Sequence, residues 1–144
     1  MTIGLSDKTA STKEGDLAHL VALGSREKPG RLEIFPNHSP PGALKITLNC
    51  NEFTCRCPQT GQPDWATIQV AYQPNQRVVE SKSVKLYLEQ FREAGIFHEH
   101  LAQVILDDFV EALAPLFCQV SVTFNVRGGI AIAATAKYPG EEAR

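Results

Sequence analysis

The spacing of apolar residues changes twice along this chain, and no other feature constrains the fold as much. From Leu44 the spacing is two: Leu44, Ile46, Leu48 and Cys50 alternate with Lys45, Thr47 and Asn49. Ala66, Ile68, Val70 and Tyr72 alternate in the same way with Thr67, Gln69 and Ala71. Such alternation presses one face of a strand against a core. After Ser81 the spacing becomes helical. Val84, Tyr87, Leu88 and Phe91 share one face, and Gly95 ends the run. A second helix is predicted from His98 to Ala114, stopped by Pro115. It turns Leu101, Val104, Ile105, Phe109, Ala112 and Leu113 inward and Asp107, Asp108 and Glu111 outward. Alternation then returns at Val120, Val122, Phe124 and Val126. Arg127-Gly128-Gly129 makes a tight turn, and Ile130, Ile132 and Ala134 complete a hairpin.

The predicted order is therefore β-β-α-α-β-β. Short connections make the four-stranded sheet antiparallel, with both helices on one face, an α+β fold. Its two edge strands are natural places for subunits to join. Residues 1–43 read as an N-terminal arm and loop, with one short apolar piece at Leu17 to Leu23. The Pro-rich segment Pro36 to Gly42 breaks regular structure. Residues 44–138 form the domain, and 139–144 a flexible tail.

A chain of 144 residues makes one domain of ordinary size. It is too short for a separate dinucleotide-binding domain beside a substrate domain. Chemistry on two substrates would have to use a compact site or borrow a neighbouring subunit. Fourteen Lys+Arg against sixteen Asp+Glu give a net charge of -2, which excludes a broad basic nucleic-acid footprint. No stretch approaches the ~18 apolar residues of a membrane span. Met1 to Gly15 lacks the apolar core of a signal peptide, so a cytoplasmic protein is expected. Cys50, Cys55, Cys57 and Cys118 are then expected as thiols. Cys55-Arg56-Cys57 is a poor zinc knuckle, because no second pair follows at ligand spacing.

Thr54 to Asp64 reads as an irregular loop carrying two prolines and a glycine. In it, Cys57 is either a half-buried thiol without a role or a nucleophile whose pKa the adjacent Arg56 lowers. Asp64 closes the loop as a turn residue or as a carboxyl group that moves protons. Ser81 or Ser83 suits a helix N-cap. Lys82 and Lys85 lie on one helical face. Cations there oppose the helix dipole, so they are a solvated face or, with the free N–H groups, a phosphate site. His98 and His100 invite a metal reading only if their stretch is extended, since residues two apart on a helix diverge. Glu99 suits the helix dipole or accepts from a guanine-like N–H edge. Arg127 is an exposed turn residue or reaches a cofactor phosphate.

Four motifs occur in order: F-T-C-R-C-P-Q-T-G-Q-P-D-W-A (Phe53 to Ala66), E-S-K-S-V-K-L-Y (Glu80 to Tyr87), F-H-E (Phe97 to Glu99) and R-G-G (Arg127 to Gly129). Together they resemble the NADPH-dependent 7-cyano-7-deazaguanine reductases, the nitrile reductases of queuosine biosynthesis, in their short single-domain form. The octet is the most specific of the four, and the resemblance covers roughly Leu44 to Tyr138. It implies the tunnelling fold (T-fold), β-β-α-α-β-β, whose subunits join sheets edge to edge into barrels. Here it implies a homo-oligomer of two stacked pentamers with active sites at subunit interfaces. It implies Cys57 as nucleophile and Asp64 as proton donor, with His98 supplying protons or positioning the nicotinamide. Val79, Glu80, Ser81, His98 and Glu99 would hold the base, and Lys82, Lys85 and Arg127 would contact NADPH. Cys55 departs from the pattern, as a buried thiol or as the partner of Cys57 in a reversible disulfide.

The implied reaction joins Cys57 to the nitrile carbon as a thioimide and uses two NADPH per turnover. It ends at 7-aminomethyl-7-deazaguanine, a precursor for tRNA modification. The free base is the substrate, so neither nucleic acid, membrane nor metal is required. The alternatives are a zinc hydrolase resembling GTP cyclohydrolase I, with Cys57, His98 or His100 and Cys118 as ligands, and a noncatalytic purine-binding protein on the same fold.

Overall fold

The computed structural model describes residues 31–140. The expectation for Leu17 to Leu23 and the last four residues of the tail lie outside that range. The elements are β1 (Ile34–Pro36), β2 (Ile46–Arg56), β3 (Pro63–Gln73), β4 (Arg77–Val79), α1 (Ser81–Glu89), α2 (His98–Leu113), β5 (Phe117–Phe124) and β6 (Ala133–Tyr138). The main sheet has the order β2-β3-β5-β6, antiparallel throughout. This matches the expected sheet.

Period-two patterning does what its chemistry requires. Ala66, Ile68, Val70 and Tyr72 of β3 are buried, as are Val120, Val122 and Phe124 of β5. They meet Tyr87 and Leu88 of α1 and Leu101, Ile105, Phe109 and Leu113 of α2 in one core. Each large apolar side chain so buried contributes about 1.5–3 kcal/mol of transfer free energy. The opposite face is polar, with Gln69 bonded to Asn49 across β2–β3 and Thr135 to Ser121 across β5–β6.

Several expectations need correction. The loop Thr54 to Asp64 is mostly strand. β2 runs on to Arg56 and β3 begins at Pro63, with Cys55 opposite Asp64 and Arg56 opposite Pro63. Pro63 is tolerated because the first residue of a strand need not donate to the ladder. A register shift between Cys50 and Phe53 sets Asn51 and Glu52 of β2 against the single residue Thr67 of β3, one extra residue. A second sheet, unforeseen, pairs β1 with β4: Ile34 lies opposite Val79 and Pro36 opposite Arg77. Val126 and Ile130 are exposed beyond the strand ends, not part of its apolar face. The turn between them is as expected. Gly128 and Gly129 both have positive φ (56° and 76°), and Arg127 and Ile130 exchange backbone bonds of 3.1 and 3.0 Å.

Helix α1 ends at Glu89, before Gly95; Gly95 instead bridges to Arg56. Asp108, expected outside, is buried, and the Tyr87 hydroxyl donates to it at 2.6 Å. A helical wheel places Asp108 near the inner face, and a buried hydroxyl on α1 makes that carboxylate tolerable.

Candidate active site

Four chain segments converge at one end of the sheet. Strand β2 delivers Cys57, and β3 starts with Asp64 one loop later. The intervening loop is closed by two backbone bonds: Cys57 N–H to Gln62 O at 2.8 Å and Gly61 N–H to Cys57 O at 2.9 Å. Gly61 has φ +73°, a conformation that a side chain resists. The stretch before α2 then runs beside β2. Arg56 N–H bonds Ala94 O at 2.8 Å, and Ile96 N–H bonds Arg56 O at 3.1 Å. That anchorage sets His98, the first residue of α2, next to the loop. Finally the β5–β6 turn brings Arg127.

Asp64 is the meeting point. It is 1 % exposed. Its Oδ2 lies 2.9 Å from His98 Nε2, and its Oδ1 is bonded by the Arg127 guanidinium. A second nitrogen of Arg127 donates to Gln62 Oε1 at 3.1 Å. The His98 ring stacks on Phe124, with centroids 3.6 Å apart and planes 10° from parallel, which holds its orientation. Sequence reading assigned Arg127 to the cofactor; here its guanidinium is on the Asp64 carboxylate.

The two loop-proximal cysteines differ sharply. Cys55 is fully buried, and its thiol is pushed up to about 12, chiefly by burial and then by the Asp64 charge. Cys57 is partly exposed, and its thiol is lowered. Hydrogen bonds from the Thr60 side chain and backbone do most of this, helped by the Gln59 backbone; slight burial and the Asp64 charge oppose it. The expected agent, Arg56, is turned elsewhere. Its guanidinium binds Glu93 and donates to Gly61 O at 2.9 Å, so it braces the loop. All four cysteines are free thiols. Cys118 is buried in β5 and likewise pushed up to about 12 by burial.

The octet also departs from expectation. The N-cap of α1 is Glu80, not Ser81 or Ser83. Its carboxylate accepts from Lys82 N–H at 2.7 Å and Ser83 N–H at 2.8 Å. Those donors are therefore not free for a phosphate. Ser83 turns inward, donating to Glu80 O at 2.6 Å and accepting from Glu33 N–H at 2.9 Å. Val79 is buried, and its N–H donates to the Tyr72 hydroxyl at 3.1 Å. Lys82 and Lys85 are exposed and make no ion pair with a described residue. Ser81 and Lys85 line a cavity of about 990 Å³ between α1 and β2, shared with Arg92, Trp65 and Asn125. Cys57, Asp64 and His98 do not line it. The Cys57, Asp64 and His98 cluster at the sheet end and this cavity are thus separate places on the chain.

Glu99 is exposed in the first turn of α2. His98 and His100 are both helical; His98 meets Asp64, while the His100 ring meets the Phe97 edge at 6.0 Å. Among the described residues no three His, Cys, Asp or Glu side chains form a metal-holding group, so the triad with Cys118 is not assembled. Sequence reading missed Thr60, Gln62 and Trp65. A hydroxyl three positions beyond a thiol, in a Pro-Gly loop, was the available signal for Thr60.

An antiparallel sheet with two helices on one face, and a thiol beside an Asp–His pair at its first hairpin, defines a T-fold protein. The family model described as "QueF-like protein" matches residues 63–143. The NADPH-dependent 7-cyano-7-deazaguanine reductase of Frankia casuarinae is 57 % identical over 124 residues, covering 85 % of this chain and 98 % of that one. The protein of the same name from Syntrophus aciditrophicus is 50 % identical over 129 residues, covering 89 % and 92 %. The crystal structure of the apo archaeosine synthase QueF-Like superposes with a TM-score of 0.62 at 22 % identity, over 72 % of this chain and all of that one. That likeness is one of fold. The chain belongs to the QueF-like family of 7-cyano-7-deazaguanine reductases.

Proposed function

We propose that this chain reduces the nitrile of 7-cyano-7-deazaguanine to the amine of 7-aminomethyl-7-deazaguanine, with NADPH as reductant, in queuosine biosynthesis. The observation that carries the reading is a thiol of lowered pKa at the loop that also leads to the Asp64–His98 pair. A nitrile carbon needs both a strong nucleophile and a proton for its nitrogen.

The Cys57 thiolate adds to the nitrile carbon, forming the C–S bond while a π pair moves to nitrogen. That nitrogen takes its proton from Asp64, which His98 resupplies through their 2.9 Å contact. NADPH, when bound, supplies a hydride to each of two successive C=N bonds. After the first reduction the C–S pair returns to Cys57 and an imine remains. After the second, protonation gives the amine. Glu80, Ser81 and Glu99 read the polar edge of the base, beside Val79. Lys82 and Lys85, exposed without ion partners among the described residues, suit the phosphates of a dinucleotide. Arg127 moves from the Asp64 carboxylate to such a phosphate, so that Asp64 becomes free to carry a proton. The half-open cavity, with its lining from α1 and the β2 edge, fits a site completed by a second copy in a barrel of stacked rings. Of the described helices, none is long and apolar enough to cross a membrane. We place the enzyme in the cytoplasm, where the free base and NADPH meet.

The test is oxidation of NADPH in the presence of the cyano base. Wild type should turn over, and Cys57→Ala should be folded, inactive and free of a covalent adduct by mass spectrometry. A wild type that oxidises no NADPH with this base sinks the reading.

A further inference from the structure

The proposed reaction needs two groups that arrive on different stretches of chain. Cys57 rides on the loop between β2 and β3, and His98 enters at the first turn of α2, after the linker from α1. The loop fixes its own shape: Gly61 N–H donates to Cys57 O, and Cys57 N–H to Gln62 O. Those bonds lie within the loop and leave open where it sits relative to α2. Placement matters, because a reacting group displaced by about 1 Å can lose roughly a hundredfold in rate.

Arg56 joins the two stretches. Its backbone is laced to the linker: its N–H donates to Ala94 O at 2.8 Å, and its carbonyl accepts from Ile96 N–H at 3.1 Å, two residues before His98. Its side chain then forks. Nε donates to Glu93 Oε2 at 2.8 Å, a second nitrogen reaches the same oxygen, and Nη1 donates to Gly61 O at 2.9 Å. Glu93 belongs to the linker, and Gly61 to the far limb of the loop. The Gly61 residue is therefore held at both ends, its N–H by Cys57 and its carbonyl by Arg56. A planar guanidinium presents donors in several fixed directions, which an ammonium on a flexible stem does not. Both Arg56 and Glu93 are well open to solvent, where an ion pair adds little to global stability. A contact that contributes little to the fold but joins two parts of the site acts through geometry.

We infer that Arg56 is a positioning residue: its guanidinium fork clamps the Cys57 loop to the linker that delivers His98, so that thiol and proton relay meet the nitrile in register. The inference rests on the roles proposed above for Cys57 and His98, and names what sets the distance between them. Arg56 touches neither substrate nor reacting atoms; it acts through the backbone of Gly61 and of the linker.

The test compares wild type, Arg56→Ala and Arg56→Lys by hydrogen–deuterium exchange and by turnover. All three should keep the wild-type circular dichroism and melting temperature. In Arg56→Ala, amides of the Cys57–Gln62 loop and of the Ala94–His98 stretch should exchange faster, while the interior of α2 should be unchanged. With the cyano base and NADPH, Arg56→Ala should lower kcat by roughly 10- to 100-fold, with KM within about twofold of wild type. Arg56→Lys keeps the charge but loses the fork, so its kcat should lie nearer to Arg56→Ala than to wild type. Unchanged exchange in the two stretches overturns the inference. So does a wild-type kcat in either variant, or a loss of kcat that only follows a loss of folded protein. Exchange needs neither substrate nor NADPH. A wild type that does not turn over sinks the reductase reading alone, and unaltered exchange sinks the clamp alone.

Discussion

Asp64 Oδ2 lies 2.9 Å from His98 Nε2, although 34 positions separate the two residues. Strand β3 fixes one partner, the first turn of α2 fixes the other, and the backbone bonds of Arg56 to Ala94 and Ile96 hold the two elements together. In the proposed reaction this contact would be the route by which the buried carboxyl group regains its proton.

Replacing either partner should stop proton delivery without removing the nucleophile. Asp64→Asn should lower kcat by about 10²–10⁴-fold, the range that a positioned acid or base contributes. Cys57 should remain alkylatable in that variant. Rapid quench at steady state reads the loss, and a variant within twofold of wild type would show that Asp64 does no proton transfer.

Cys55 is the second thiol of the loop but faces the core. Cys55→Ala should still form the covalent adduct with the cyano base. The cost should appear as stability instead, about 1–2 kcal/mol for a buried atom removed from a packed site. Urea denaturation gives the second quantity and intact-mass analysis the first. An adduct that vanishes with Cys55→Ala would move the nucleophile to that residue.

Glu80 holds two roles that substitution can separate. Glu80→Ala removes the cap of α1 and should cost about 0.5–2 kcal/mol. Glu80→Gln keeps an oxygen acceptor for the cap and should retain most of that stability. It loses the charge that would face the base, so KM for the base should rise while the melting temperature holds. Equal loss of melting temperature in both variants would confine Glu80 to capping.

Alkaline pH should destabilise the fold. Cys55, Cys118 and Tyr87 all have thiol or phenol groups raised by burial, Tyr87 well above its usual range. A group whose folded pKa exceeds its unfolded value contributes stability that is complete below the unfolded pKa. That stability is lost as pH rises toward the folded pKa. The melting temperature should therefore decline from about pH 8.5, the ordinary thiol range, upward. Cys118→Val, which cannot ionise, should flatten the early part of the decline. A melting temperature constant to pH 11 would contradict it.

The main sheet and both helices were legible because their apolar faces are long. Four alternating residues on β3, or six on α2, determine which face is buried whatever surrounds them. The Arg127-Gly128-Gly129 turn was legible because two positive-φ positions need glycine. Other features depend on partners remote in sequence. Pro63 reads as a loop residue until β2 is known to lie opposite. Strands β1 and β4 have three residues each, too few to show a period. Asp108 reads as surface until Tyr87, 21 positions earlier, is placed against it. Cys57 and Asp64 were legible through a motif, but the arrangement around them was not. Arg56 adjoins the thiol in sequence, but its guanidinium is taken by Glu93 and Gly61 O, partners that only the folded loop brings to it.

The short sheet ties distant parts of the chain into one unit of inheritance. Leu32 is buried, Glu33 bonds to Glu80 and Ser83 through its backbone, and Ile34 lies opposite Val79. The residues proposed to read the base are therefore moulded by a segment almost 50 positions upstream, outside the stretch that the family model spans. A chimera of two relatives spliced between residues 36 and 77 would combine a strap from one parent with an octet from the other. Such recombinants should trade specificity as a pair of segments, Leu32–Pro36 with Arg77–Ser83, and neither segment alone should carry it.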